Sequence, residues 1–210
     1  MIVSHRHKFI FIKPMKVGGS AVEATIHPHL GEEDTVSTSL SYSQWRDEDE
    51  FEIRRRNCPE DIGAHATPHL VRSLVGEKVW TEYFKFSVVR NPWDMVVSAY
   101  WFRRSQHNPS SSFDAFVRAG QNPQAAYWYL DKERHIMLDF CIRFERIQQD
   151  FDIAMKKMGL PQSTLLRVVN KTRDDNRHYT EYYDEAVRAI VGRRYRRVIE
   201  HFGYKFGDEA

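Results

Sequence analysis

The sequence predicts a three-layer α/β domain in which helices flank a central parallel sheet. Three observations predict it: short apolar runs alternate with amphipathic stretches, the first run passes through a glycine turn into a helix, and a later run ends on a helix-capping Asn-Pro. A chain of 210 residues with 41% hydrophobic residues can bury one substantial core. A single domain over residues 1–210 is therefore expected, with a flap or insertion at about 31–62.

Taken in order, Lys8 to Ile12 is a short apolar run that suits a buried strand and stops at Pro14. Gly18-Gly19-Ser20 then leads into a first helix from Ala21 to Ile26. The acidic and Ser/Thr-rich stretch that follows carries no clear period and reads as the flap. Phe84 to Val89 is a second strand, closed by Arg90-Asn91-Pro92, where Asn91 caps a helix and Pro92 opens it. Trp93, Val96, Val97, Tyr100 and Trp101 give that helix its apolar stripe. Helices are expected at Phe113 to Arg118 and Gln124 to Glu133, a third strand at Leu138 to Phe144, and a helix at Glu145 to Met158. A long helix from about Glu181 to Phe202 ends the pattern.

Charge excludes some functions. Thirty-one Lys and Arg against 29 Asp and Glu give a net +2, which does not call for a nucleic-acid partner. Two basic runs, Arg54-Arg55-Arg56 and Arg193 to Arg197, read as solvated faces that bias the surface toward anionic ligands. Cys58 and Cys141 fit no metal-ligand spacing, and two free thiols suit a reducing, cytoplasmic setting. No stretch reaches the ~20 apolar residues of a membrane span.

The chemistry concentrates in two segments. Pro14-Met15-Lys16-Val17-Gly18-Gly19-Ser20 places an ammonium, unhindered backbone amides and a hydroxyl at the positive end of a helix, a ready site for phosphate. Its lysine precedes the glycines, whereas in nucleotide triphosphatases lysine follows them and a Ser or Thr holds magnesium. Arg90 sits at a strand end, where its planar fork can grip phosphate, and Ser98 adds a hydroxyl from the following helix.

With both segments present, the chain resembles the sulfotransferases that use 3′-phosphoadenosine-5′-phosphosulfate (PAPS), and it looks most like their carbohydrate-type branch. The resemblance implies a P-loop-like fold and metal-free transfer of a sulfuryl group from PAPS to a hydroxyl-bearing acceptor, with 3′-phosphoadenosine-5′-phosphate as the other product. It implies that Lys16, Val17, Gly18, Gly19 and Ser20 bind the 5′-phosphosulfate, and that Arg90 and Ser98 bind the 3′-phosphate. Met15, Val17, Ala21 and Met95 depart from the usual residues of the two motifs. By position in the family pattern, Phe144 borders the adenine or serves as a core aromatic, and Lys171 and Arg173 contact the nucleotide or belong to a polar loop.

Transfer to an alcohol needs a base for the acceptor proton and positive charge on the departing phosphate. Lys16 supplies the charge. His65 is the expected base and His69 the second choice, because an imidazole with a reference pKa of about 6.5 is available near neutrality. Glu23 and Glu60 rank below them. Trp45 and Tyr127-Trp128-Tyr129 are candidates for stacking on an acceptor or for the core. The acceptor is expected to be a glycan hydroxyl, a lipid-linked sugar or a small natural product. The alternative readings are a P-loop kinase-like enzyme and a noncatalytic nucleotide-binding module.

Overall fold

The computed structural model describes residues 1–38, 55–107, 112–120, 126–162, 164–166, 173 and 175–208. They fall into two compact units, Met1–Val89 with Tyr127–Asn170, and Arg90–Ala126 with Lys171–Ala210.

The first unit is built on a five-stranded mixed sheet of order β3-β1-β2-β4-β5. Its strands are β1 (Ile2–Ser4), β2 (Phe9–Ile12), β3 (Thr35–Val36), β4 (Phe84–Val89) and β5 (Phe140–Arg143). The three strands expected from apolar runs form the parallel core: β2 pairs with β4, placing Ile12 beside Ser87, and β4 pairs with β5. The short β1 and β3 extend this core antiparallel. All four residues of β2 are fully buried, as befits a strand covered on both faces. Phe11 stacks on Phe86 with ring centroids 5.0 Å apart.

Three helices belong to this unit: α1 (Gly19–Ile26) after β2, α2 (Pro68–Glu82) before β4, and α5 (Ile147–Lys157) after β5. Thr67 caps α2 and Pro68 occupies its first turn, where the missing N–H is no loss. The edges of the expected flap are tied down instead of loose: Thr35–Val36 pair with β1, and Val36 bridges to Arg56. The rest of that segment, Trp45 included, lies outside the described residues. Of the helix expected from Gln124 to Glu133, the described residues, from Ala126 on, form only a 3-10 turn at Ala126–Trp128. The chain then doubles back through an isolated bridge, Leu130 to Ile136, with Arg134 at φ 70.

The second unit is helical: α3 (Pro92–His107), α4 (Phe113–Arg118), α6 (Glu185–Arg194) and α7 (Arg196–Phe202). Trp93, Val96, Val97 and Tyr100 are buried along α3, the stripe that its spacing predicts. Phe113 meets Tyr100, Tyr182 and Tyr183 edge-on, and Phe206 meets Trp93, Tyr179 and Tyr183 in the same way. The unit thus packs around aromatic rings in their favoured T-shaped arrangement. The single helix expected from Glu181 to Phe202 is instead three pieces. A 3-10 turn covers Tyr179–Tyr182, Asp184 restarts the helix by accepting from the Val187 N–H at 2.7 Å, and Tyr195 interrupts it at φ −102 and ψ 14.

Candidate active site

The turn after β2 takes a strained path. Lys16 has φ 63 and Gly18 has φ 86, and a left-handed backbone at a residue other than glycine is uncommon and concentrated at functional sites. Gly18 is the N-cap of α1 and accepts the Ala21 N–H through its carbonyl at 3.1 Å. Its missing side chain is required, because a Cβ there would stand 2.8 Å from Phe144 Cδ2. Phe144, which follows β5, therefore lies against the glycine turn. At Gly19 a Cβ would come within 3.0 Å of Lys13 Cγ. Val17 is buried, while Lys16 and Ser20 are half-buried. A glycine turn before a helix is a kind of backbone that can receive a phosphate group.

Before this turn lies a buried ion pair whose lysine belongs to neither motif. Lys13, the residue after β2, forms a salt bridge with Glu23 of α1, and both side chains are almost completely buried. The other Glu23 oxygen, Oε1, is buried with no hydrogen-bond partner among the described residues. This enclosure removes Glu23 from contention as a base. A lysine ending an otherwise apolar run, ten residues before a glutamate in the next helix, was the available signal.

The same Lys13 positions His65. His65 Nδ1 lies 2.8 Å from the Lys13 carbonyl oxygen. A carbonyl can only accept, so Nδ1 carries the hydrogen and donates it, which leaves Nε2 as the basic nitrogen. Burial lowers the His65 pKa below its usual 6.5, outweighing the opposing effect of the bond to Lys13. The His65 backbone is fixed from the other side, since Trp128 Nε1 donates to its carbonyl oxygen at 3.1 Å. Ala64, next to it, accepts from the Met1 nitrogen at 2.7 Å. His69 is exposed on the first turn of α2. Trp128 and Tyr129 are buried, the latter donating its hydroxyl to the Val88 carbonyl at 2.8 Å, so of the aromatic trio only Tyr127 is exposed.

In the second unit, Asn91 does more than cap. Its Oδ1 accepts the Trp93 N–H at 3.1 Å, while its Nδ2 donates to Tyr179 Oη at 3.2 Å and to the Lys205 carbonyl at 2.9 Å. Arg90 is oriented from its Nε edge by buried Asp94, at 2.6 Å. Ser98 is half-buried two turns into α3. Arg173 donates from Nε to Asp175 at 2.8 Å, and its guanidinium lies 5.3 Å above the Tyr182 ring. Lys171 lies outside the described residues.

The strand-turn-helix after β2 carries Lys16, the half-buried His65 is held on the Lys13 carbonyl of the same unit, and Arg90 follows β4. A model described as "Sulfotransferase family" matches residues 1–205, and the chain belongs to that family. It is 35% identical over 112 residues to an uncharacterized protein from Archaeoglobus fulgidus, an overlap of 51% of this chain and 92% of that protein. It is also similar to the crystal structure of a sulfotransferase from Alicyclobacillus acidocaldarius. That match has 14% identity and a TM-score of 0.49, and covers 95% of this chain and 96% of the other. Among the described residues, no helix is long and apolar enough to cross a membrane.

Proposed function

We propose that this sulfotransferase takes the sulfuryl group from PAPS and places it on a hydroxyl acceptor, with His65 as general base and a sugar hydroxyl as the acceptor class. The observation that carries the reading is the bond from His65 Nδ1 to Lys13 O, which fixes a neutral imidazole with a basic Nε2 three residues upstream of the Lys16 turn. The acceptor oxygen attacks sulfur, His65 Nε2 takes its proton, and the bond from sulfur to the bridging phosphate oxygen breaks. Lys16 and the amides of Gly18 and Gly19 stabilise the charge that develops on the departing phosphate. Arg90 and Ser98 hold the 3′-phosphate, while Phe144, Lys171 and Arg173 contribute to nucleotide binding. The unbridged Cys58 and Cys141 agree with a reducing, cytoplasmic setting.

Calorimetry with 3′-phosphoadenosine-5′-phosphate and with ATP plus magnesium tests the nucleotide. Metal-independent binding of the former, lost in Lys16→Ala and Arg90→Ala, is the expected result, and a magnesium-dependent preference for ATP overturns it. For the base, His65→Ala is expected to keep nucleotide affinity and lose transfer by ~10²-fold, the size of a general-base contribution. Because burial lowers the His65 pKa, the acid-side fall in activity should have its midpoint below the 6.5 of an ordinary imidazole. An alanine variant that turns over like the parent removes His65 from this role.

A further inference from the structure

The break between α6 and α7 borders a half-open surface cavity of about 130 Å³. Arg193, Arg194, Arg196 and Arg197 line it together with Tyr195, and among the described residues no acidic one does. Four like charges within five residues repel one another, and little in the fold offsets them. Arg194 Nη1 donates to the Val117 carbonyl at 3.1 Å. Arg196 faces Glu200 at 3.6 Å in a pair whose members are 63% and 58% exposed, a geometry in which ion pairs contribute little. Arg193 and Arg197 have no ion-pair partner among the described residues.

The position of the charges sharpens the point. Arg193 and Arg194 stand in the last turn of α6, where cations complement the helix dipole. Arg196 and Arg197 stand in the first turn of α7, where the same dipole disfavours them. A local rule broken without compensation is the usual mark of a functional position. Tyr195, 3% exposed, holds the break in place, and its carbonyl accepts the Val198 and Ile199 N–H groups at 2.9 and 3.0 Å.

Size narrows the ligand. Pockets for organic ligands usually measure ~300–1,000 Å³, so a cavity of about 130 Å³ admits one compact group. Guanidinium forks match the oxygens of sulfate and phosphate. We propose that this arginine-lined cavity is a second anion site, made of residues other than those assigned to the nucleotide, and that it takes a single tetrahedral oxyanion, either free or as the ester group of a larger molecule.

The test is a titration of the whole chain with sodium sulfate and sodium phosphate, followed by amide NMR. Ionic strength is held constant with chloride, and 3′-phosphoadenosine-5′-phosphate is present at saturation to fill the nucleotide site. Saturable shifts confined to residues 193–198, weakened about 10-fold or more in Arg196→Gln/Arg197→Gln, are expected, since a hydrogen bond to a charged group is worth at least that factor. Both positions are exposed, so the variant keeps its fold, checked by its unchanged spectrum elsewhere. A second arm uses glucose 6-sulfate: tighter binding than sulfate identifies an ester group as the ligand, and equal binding identifies the free ion. Shifts that grow linearly with salt, or that persist in the glutamine variant, overturn the proposal. If the nucleotide does not bind, the proposed function fails by itself, and the same titration of the unliganded protein still reports on the cavity.

Discussion

The turn after β2 and the turn after β4 carry the two segments proposed to bind the nucleotide, yet they are held by opposite means. The first depends on its backbone: two left-handed residues, a glycine pressed on Phe144, and a salt bridge between Lys13 and Glu23 shut away from solvent. The second depends on side-chain hydrogen bonds, with Asn91 satisfying three partners and Asp94 steering Arg90. Strained backbone and buried charge have no graded alternatives, whereas a hydrogen bond can be weakened in part. The first turn should therefore fail abruptly under substitution and the second gradually.

The largest effect is expected at Lys13. Lys13→Met leaves Glu23 buried without its counter-charge, and breaking a buried pair in this way costs about 3–5 kcal/mol. Urea denaturation of the variant checks it. Lys13→Met/Glu23→Leu, which removes both charges, should recover most of the loss because replacing a whole buried pair by apolar groups is often neutral. A single variant as stable as the parent would show that the pair does not hold the turn.

Next in size is Gly18→Ala. A left-handed φ costs a residue with a Cβ roughly 1–2 kcal/mol, and here the Phe144 ring must also move. Nucleotide affinity should fall along with stability, because the amides that line the turn shift with it. Adding Phe144→Leu separates the two causes: the part due to the ring contact is relieved and the part due to φ remains. Full recovery in the double variant would mean that the backbone conformation is not strained.

The same contrast explains what could be read from the sequence. The parallel core was legible because β2, β4 and β5 are apolar runs bounded by Pro14, by the Asn91-Pro92 cap and by a polar turn. The α3 stripe was legible because Trp93, Val96, Val97 and Tyr100 recur at helical spacing. Strands β1 and β3 were not, since two or three residues carry no period and their pairing is a tertiary fact. The run from Glu181 to Phe202 keeps a helical pattern across Tyr195, so its break is invisible until Tyr195 is seen to end one helix and begin the next. At the site, Lys16 and the glycines announce themselves by composition, and His65 stood out as a histidine between the two motifs. The support of His65 by Lys13 and Trp128 joins residues 52 and 63 positions apart, and no local pattern encodes such contacts.

The smallest effect is expected at Asp94, and it tests the second turn most directly. In Asp94→Asn the amide oxygen still accepts from Arg90 Nε, so only the charge is lost and the expected penalty is about 1 kcal/mol, or roughly 2–4 °C in Tm for a chain of this size. Arg90 then loses the charge of the Asp94 carboxylate. If Arg90 holds the 3′-phosphate, bound nucleotide restores a negative charge beside it, and the difference in Tm between variant and parent should narrow when 3′-phosphoadenosine-5′-phosphate is added to saturation. Adenosine 5′-phosphate, which lacks the 3′-group, should leave the difference unchanged. A gap that stays constant with both nucleotides would assign Arg90 to holding α3 alone and would move the 3′-phosphate to other donors.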